Sequence, residues 1–233
     1  MRVLITGSSK GLGAALAIEF AKQGHGVILH GRDVARLDAV AEKISNTGII
    51  ARLRGNYKVG GELGHLDGAH TTKGLIGMAR ILDVDILVNN AAMYLNEPIG
   101  DMTIEKAEEI MAVNFMAPVL LTRDIFRHFK KKGRGTIINI NSIAVGQPSE
   151  GEMLYSASKS ALWSFMKAFQ FEALKHNVTI MNFFLGKMDT GFTMAEDKDK
   201  LMQPEEVAEY IVSQVKEYKT IRMGECEILR KRY

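Results

Sequence analysis

The sequence predicts an α/β protein with one doubly wound parallel sheet of about seven strands and helices on both faces. Three observations support this fold class. Short apolar runs alternate with helical patterns in strict order, which is typical of parallel strands joined by crossover helices. The chain has 233 residues, 46% of them hydrophobic, which is enough to bury a large core. No repeat or low-complexity segment interrupts the pattern, so we expect a single domain over residues 1–233.

Each element follows from an apolar run or from apolar residues at helical spacing. Runs rich in Val and Ile predict the strands Val3–Thr6, Val27–His30, Ile49–Leu53, Asp85–Asn89, Thr136–Asn141, Val178–Phe184 and Glu225–Leu229. The helical patterns predict Leu12–Gln23, Val34–Ser45, Thr71–Leu82, Ile104–Lys131 with a break, Tyr155–His176 and Pro204–Tyr218.

Residues at the boundaries predict how several helices begin and end. Gly24 should close the first helix in a left-handed turn, and Asp33 should cap the second. Pro118 should break or kink the long helix near Asn114–Ala117, because proline has no N–H to donate. Pro204 fits the first turn of the last helix. The predicted apolar face of the second helix contains Val34, Leu37, Val40, Ala41 and Ile44.

Charge and composition exclude several classes of function. The net charge is only +3 and the basic residues are scattered, so we expect no nucleic-acid partner. The single Cys226 permits no internal disulfide, and the six histidines show no metal-ligand spacing, so we expect no metal. No run approaches the length of a membrane span, and MRVLITG enters a strand too early for a signal peptide. These features predict a cytoplasmic protein without membrane association.

The stretch TGSSKGLG, residues 6–13, lies between the first strand and the first helix. A glycine-rich turn here aims unpaired backbone N–H groups at the start of a helix, where the helix dipole favours an anion. Gly7 permits the turn, while Gly11 and Gly13 let a ligand and the neighbouring strand approach the backbone. The pattern predicts a dinucleotide site, although a glycine triplet alone also fits a simple tight turn.

The end of the second strand, VILHGRD, predicts the cofactor type. Enzymes that prefer NAD usually place an acidic side chain here, but this chain has Gly31 followed by Arg32. Arg32 and Lys10 are therefore candidates to bind the 2′-phosphate of NADP. The alternative is that both are solvated surface charges.

Tyr155 and Lys159 lie four residues apart, so a helix places them on one face. A cation about 4 Å from a phenol, at an effective dielectric of ~20, is worth roughly 4 kcal/mol, or about three pKa units. We therefore expect Lys159 to lower the pKa of Tyr155 and make it a usable acid or base. Ser142 ends a predicted strand, and strand ends are where open parallel sheets bind ligands.

These motifs together resemble the short-chain dehydrogenase/reductase family. The sequence has TGSSKGLG, then NNAA at residues 89–92 where the family usually has NNAG, then Asn114, Ser142 and YSASK at residues 155–159. It ends the series with LGKMDT at residues 185–190, where the family usually has a proline in place of Leu185. The resemblance runs from residue 1 to about residue 230. It implies a Rossmann-type fold and an NADPH-dependent oxidoreductase that reversibly reduces a carbonyl to an alcohol.

The resemblance also implies roles for individual residues. Tyr155 would donate the proton, Ser142 would hold the substrate carbonyl, and Lys159 would also hold the nicotinamide ribose. The backbone carbonyl of Asn114 would anchor a water linked to that lysine. The expected cofactor-binding residues are Gly7, Ser9, Lys10, Gly11, Leu12, Gly13, Arg32, Asn56, Asn89, Ala91, Tyr155, Lys159, Gly186, Met188 and Thr190. Helices around Thr103–Lys131 and Tyr155–His176 resemble those that pair subunits, which implies a homodimer or homotetramer.

The sequence says little about the substrate. A lid is expected over residues 187–203, and Met93, Tyr94, Met153, Leu154, Phe192 and Met194 suggest a partly apolar carbonyl compound. A ketoacyl thioester, a sugar, a steroid-like ketone and a small aldehyde all remain open. Two other functions on this scaffold are a regulatory protein that binds NADPH without turnover and a non-redox lyase such as a dehalogenase. The intact glycine turn and the Ser142, Tyr155 and Lys159 set disfavour both.

Overall fold

The computed structural model describes residues 1–44, 49–54, 82–190, 201–215 and 224–230. Within these ranges seven strands form one parallel sheet in the order β3-β2-β1-β4-β5-β6-β7. The strands are β1 Arg2–Thr6, β2 Gly26–Gly31, β3 Ile49–Arg54, β4 Ile86–Asn89, β5 Gly135–Ser142, β6 Val178–Leu185 and β7 Glu225–Ile228. The predicted doubly wound sheet is therefore confirmed.

Helices cover both faces of the sheet. In the described ranges they are α1 Gly11–Lys22, α2 Val34–Lys43, α3 Ile104–Met111, α4 Ala117–Lys132, α5 Met153–Leu174 and α6 Pro204–Ser213. Short 3-10 turns span Ile99–Asp101 and Ile143–Val145. The helix predicted over 71–82 lies almost wholly outside the described residues. No helix among those described is long and apolar enough to cross a bilayer.

The sheet separates two apolar cores. Along β1, Val3 and Ile5 face one core with α1, α2 and α6, while Leu4 faces the other core with α4 and α5. All three residues are fully buried. Because both faces of the strand are covered, β1 is apolar at consecutive positions rather than at alternate ones.

The predicted caps and the predicted start at Pro204 are confirmed, but the last helix ends at Ser213 rather than at Tyr218, and the burial of one residue is corrected. Gly24 has a φ of +79° and follows the end of α1, and the Asp33 side chain accepts a hydrogen bond from the Arg36 N–H at 3.1 Å. Pro204 lies in the first turn of α6. Val34 was expected on the buried face of α2 but is 45% exposed. It is the first residue of the helix and lies beyond the edge of the apolar face.

The predicted break near Pro118 takes the form of a π-helical turn. Residues Ala112–Met116 form this turn between α3 and α4, and the Ala117 N–H bonds to the Ala112 carbonyl, five residues back. In an α-helix the Asn114 carbonyl would accept from residue 118, which is a proline without an N–H. A π-turn re-routes the backbone bonds around that missing donor.

Candidate active site

One cleft of about 460 Å³ lies at the carboxyl ends of the central strands. Its described lining comes from the segments that follow β1, β2, β4, β5 and β6. The chain turns in opposite directions from β1 and β4, so their end segments diverge and leave a crevice between them. The sheet order alone therefore predicts a ligand site at this place.

The turn after β1 has the geometry of an anion cradle. Gly7 and Gly11 have φ values of +67° and +53°, a region that favours glycine. A Cβ on Gly13 would stand 2.3 Å from the Gly7 carbonyl, so only glycine lets the helix start this close to the turn. Lys10 is the residue before α1, and its side chain does not cap the N–H groups of the helix. The first turn of α1 carries no acidic residue. The N–H groups of the first turn and the helix dipole of α1 therefore fit a pyrophosphate.

The loop after β4 is fastened to this turn. The Thr6 Oγ1 accepts the N–H groups of Asn90 and Ala91 at 3.0 and 3.1 Å. The Asn90 side chain donates to the carbonyls of Thr6 and Gly7 at 2.9 and 3.2 Å. These bonds fix the two walls of the crevice relative to each other.

Positive charge gathers at the end of β2. Lys10, Arg32 and Arg36 all line the cleft there, and all three are exposed. The one nearby acid in the described lining, Asp33, is engaged in the cap of α2 and in an ion pair with Arg36 at 3.1 Å. Burial lowers the pKa of the neighbouring His30 to about 4, so His30 adds no charge at neutral pH. This end of the cleft suits a phosphate group.

The predicted catalytic side chains converge at the other end of the cleft. Ser142 is the last residue of β5, and Tyr155 and Lys159 lie in the first two turns of α5. All three line the cleft, and the Tyr155 side chain is hydrogen-bonded to Ser142. The Lys159 Nζ donates to the Ile140 carbonyl at 2.9 Å and stands 6.0 Å from the centre of the Tyr155 ring.

The prediction that the pKa of Tyr155 is lowered is wrong: the structure raises it. Burial raises the pKa of Tyr155 to about 12, and the hydrogen bond from Ser142 opposes that rise only in part. Burial also lowers the pKa of Lys159 to about 8. Tyr155 is only 8% exposed, so loss of hydration is the dominant effect on its pKa.

Asn114 does not line the described cleft but supports it. Its buried amide bonds to the Met93 N–H and carbonyl at 2.7 and 2.8 Å and donates to the Ser158 hydroxyl at 3.0 Å. Ser158 in turn donates to the Tyr155 carbonyl at 2.7 Å. Asn114 therefore joins the β4 loop to the helix that carries Tyr155.

Asn89 is a second expected site residue that the structure turns away from the cleft. Its amide donates to Asn139 at 2.9 Å and to Thr122 at 3.1 Å inside the protein, and the next residue, Asn90, lines the cleft in its place. The side chain of a strand residue alternates between faces, so a shift of one position moves it from the core to the cleft.

Most of the other expected cofactor residues line the cleft. Those that line the described cleft are Gly7, Ser9, Lys10, Gly11, Leu12, Gly13, Arg32, Ala91, Gly186, Met188 and Thr190. Leu185, in place of the family's usual proline, also lines the cleft and is buried. Asn56 and the middle of the expected lid, residues 191–200, lie outside the described residues. At the two ends of that segment, Met188 pairs with Met202 as neighbouring strands do.

Of the residues expected to line the substrate end, Phe192 and Met194 lie outside the described residues. Tyr94 lines the cleft as expected, whereas Met93, Met153 and Leu154 are not part of the described lining. Three polar residues that the sequence analysis did not single out also line this part of the cleft: Gln147, Ser149 and Glu152. Glu152 lies three residues before Tyr155 and directly before the helix begins, so only its closeness to Tyr155 in the sequence could have pointed to it.

Comparison with known proteins decides the family. The model of the short chain dehydrogenase family matches residues 1–201. The chain belongs to the short-chain dehydrogenase family. It is therefore an NAD(P)-dependent oxidoreductase, as the motifs implied.

Relatives of this short-chain dehydrogenase span nearly its whole length. It is 30% identical to the 3-oxoacyl-[acyl-carrier-protein] reductase FabG of Aquifex aeolicus, over 95% of this chain and 92% of that protein. L-sorbose reductase from Gluconobacter frateurii, solved with NADPH and L-sorbose, matches with a TM-score of 0.85 at 26% identity, over 98% of this chain and 94% of that one. A metagenomic short-chain oxidoreductase solved with NADP has a TM-score of 0.83 at 26% identity, over 99% and 97% of the two chains.

Proposed function

We propose that this protein is an NADPH-dependent carbonyl reductase that also runs in reverse as an alcohol dehydrogenase. One observation carries the proposal: Tyr155 is hydrogen-bonded to Ser142 at the end of the cleft opposite the phosphate cradle. This arrangement puts a proton donor and a carbonyl-binding hydroxyl at one point. Two relatives with NADP or NADPH in their structures support the choice of cofactor.

Different residues of the cleft bind different parts of the cofactor. The N–H groups of the turn at residues 6–13 bind the pyrophosphate, and Lys10 and Arg32 bind the 2′-phosphate. Gly186, Met188 and Thr190 hold the nicotinamide end. When bound, the cofactor supplies the hydride for reduction and accepts it for oxidation.

The protein's own groups then handle the proton. The Ser142 hydroxyl hydrogen-bonds the substrate carbonyl and orients it. Tyr155 donates its proton to the alkoxide that develops on the carbonyl oxygen. An alkoxide is more basic than a phenolate even when the pKa of Tyr155 is about 12, so the transfer remains favourable. Lys159 stabilises the phenolate that is left, which lies on the same helix face.

Tyr155→Phe tests the proposal directly. We expect the variant to lose at least about 100-fold in kcat, because general acid catalysis contributes about that much or more. Binding of NADPH should be unchanged, since the ring and its packing remain. The measurement is NADPH oxidation with a panel of ketones and aldehydes, together with a fluorescence titration of NADPH.

Tyr210→Phe is the matched control. Tyr210 is 44% exposed on α6, outside the described lining of the cleft, and its hydroxyl contacts Cys226 at 3.6 Å. Its loss should leave turnover unaltered. Full activity in Tyr155→Phe, or no NADPH oxidation by the wild type with any carbonyl compound, would contradict the proposal.

A further inference from the structure

A buried carboxylate lies at the substrate end of the cleft. Glu152 is only 7% exposed and directly precedes α5. Its Oε1 accepts a hydrogen bond from the Tyr94 hydroxyl at 2.9 Å, and its Oε2 accepts one from the Ser149 N–H at 2.8 Å. Two donors therefore hold the carboxylate in a fixed position.

This carboxylate adjoins the proposed proton donor. Tyr94, which bonds to Glu152, packs edge-on against Tyr155 with 5.0 Å between the ring centres. Burial is the main cause of the raised pKa of Tyr155. The negative charge of Glu152 also affects this pKa and raises it further. A substrate whose carbonyl lies between Ser142 and Tyr155 is therefore close to Glu152.

Nearby cations offer little compensation for that charge. None of the ion pairs in the described part of the chain involves Glu152. The Lys159 ammonium is directed at the Ile140 carbonyl. Lys187 also lines the cleft, but it is exposed, so water and salt screen its charge.

We infer that Glu152 determines substrate specificity by charge. It selects neutral or cationic carbonyl compounds, especially those with a hydroxyl or amino donor near the reacting carbon, and rejects those with a carboxylate or phosphate there. Each carboxylate oxygen has a second acceptor position beyond the bond it already accepts, which a substrate donor can use. A second negative charge in the same dehydrated site is repelled. The inference rests on the proposed carbonyl reductase activity and goes further, since it names the class of substrate.

The test compares acetoacetate with its ethyl ester, a pair that share the reacting ketone and differ in charge. We expect the wild type to prefer the ester in kcat/KM. Glu152→Gln keeps the shape of the side chain and removes its charge, so it should raise kcat/KM for the acid relative to the ester by roughly tenfold or more. Comparing the two enzymes cancels the difference in size between the substrates.

Glu150→Gln is the matched control. Glu150 lies two residues away and is exposed, and its side chain is not part of the described cleft lining. The same loss of charge there should leave the ratio of acid to ester unchanged. An equal shift in both variants would mean that net charge, rather than Glu152, causes the discrimination, and it would overturn the inference.

The remaining outcomes separate this inference from the proposed function. If the wild type reduces carbonyl compounds but Glu152→Gln leaves the ratio unchanged, the inference fails and the carbonyl reductase proposal stands. If the wild type reduces no carbonyl compound at all, the proposed function fails first. Circular dichroism shows whether Glu152→Gln folds. If it does not fold, the wild type alone tests the inference: a kcat/KM for acetoacetate that equals or exceeds the value for the ethyl ester overturns it.

Discussion

Arg32 and Lys10 would decide between the two nicotinamide cofactors, because only NADP carries a 2′-phosphate. Charge-assisted hydrogen bonds to phosphate contribute about 1.5–3 kcal/mol. We therefore expect Arg32→Ala to weaken NADPH binding by roughly 10- to 100-fold while NADH binding changes little. Fluorescence titration of both cofactors measures this difference.

Arg134→Ala is a suitable control for Arg32→Ala. Arg134 is exposed and precedes β5, at the opposite end of the strands from the cleft. Its removal should affect neither cofactor. Equal losses of NADPH and NADH in Arg32→Ala would show that Arg32 does not contact the 2′-phosphate.

The raised pKa of Tyr155 predicts a different pH dependence for each direction of the reaction. Reduction uses the protonated phenol, which predominates below the pKa of about 12, so its rate should stay level up to the Lys159 pKa of about 8. Oxidation of an alcohol uses the phenolate, so its rate should rise as the pH increases from about 6 to about 8, where Lys159 is still charged. Initial rates in both directions over that range test the prediction. An oxidation rate that falls with increasing pH would contradict it.

For single residues of the site, the sequence predicts position better than it predicts chemical environment. The spacing of Tyr155 and Lys159 correctly placed both on one helix face and in the cleft. Their pKa values depend on burial, which no short motif reveals. The direction of Asn89 was likewise hidden, because a strand motif does not state which of two adjacent amides faces the ligand. Glu152 was overlooked because it belongs to no motif.

Among the secondary-structure elements, three central strands are joined by buried amides. Asn89, Asn139 and Asn182 are paired with one another across β4, β5 and β6. The Asn89 amide donates to the Asn139 Oδ1 at 2.9 Å, and the Asn139 amide donates to the Asn182 Oδ1 at 3.0 Å. A slip of one residue would turn an amide to the opposite face, so these bonds favour one register. That register aligns the strand ends that form the cleft.

Asn139→Ala should destabilise the protein by about 2–4 kcal/mol, because one side-chain N–H of Asn89 and the Oδ1 of Asn182, both buried, lose the partner they have in Asn139. Urea unfolding followed by circular dichroism measures the loss. Adding Asn182→Ala should then cost less than it costs alone, since one of those orphaned atoms is removed with it. Strictly additive losses would show that the amides act independently.

The junction of α3 and α4 shows the limit of prediction from an element's sequence. Pro118 predicts a disturbance of the helix at the correct place, because the missing N–H is a local property. Whether the chain responds with a kink, an end or a π-turn depends on packing around it. Here Asn114 bonds both to the β4 loop and to α5, and the chain continues with a π-turn. Those contacts are distant in sequence and no local pattern contains them.

Considered as a whole, the molecule arranges its charges along the cleft. The strand order places the end of β2 at one side of the crevice and the ends of β4 and β5 toward the other. Lys10, Arg32 and Arg36 therefore line the phosphate end, while Glu152 lies beside Tyr155 at the substrate end. The strand runs and the glycine turn made this layout predictable in outline. The sequence did not predict the negative charge of Glu152 at the substrate end, because that depends on where the loop before α5 lies in the structure.

The family resemblance implies that whole chains assemble through two helical regions, α3 with α4, and α5. Phe171 on α5 is 66% exposed and Leu174 is 41% exposed, so this end of the helix carries apolar surface that a second chain could cover. We expect the wild type to sediment as a dimer or tetramer and Phe171→Glu to shift it toward smaller species. Ile99→Glu, at a position exposed to 63% but outside both helices, is the control and should leave the distribution unchanged. A monomeric wild type in sedimentation velocity would reject the prediction.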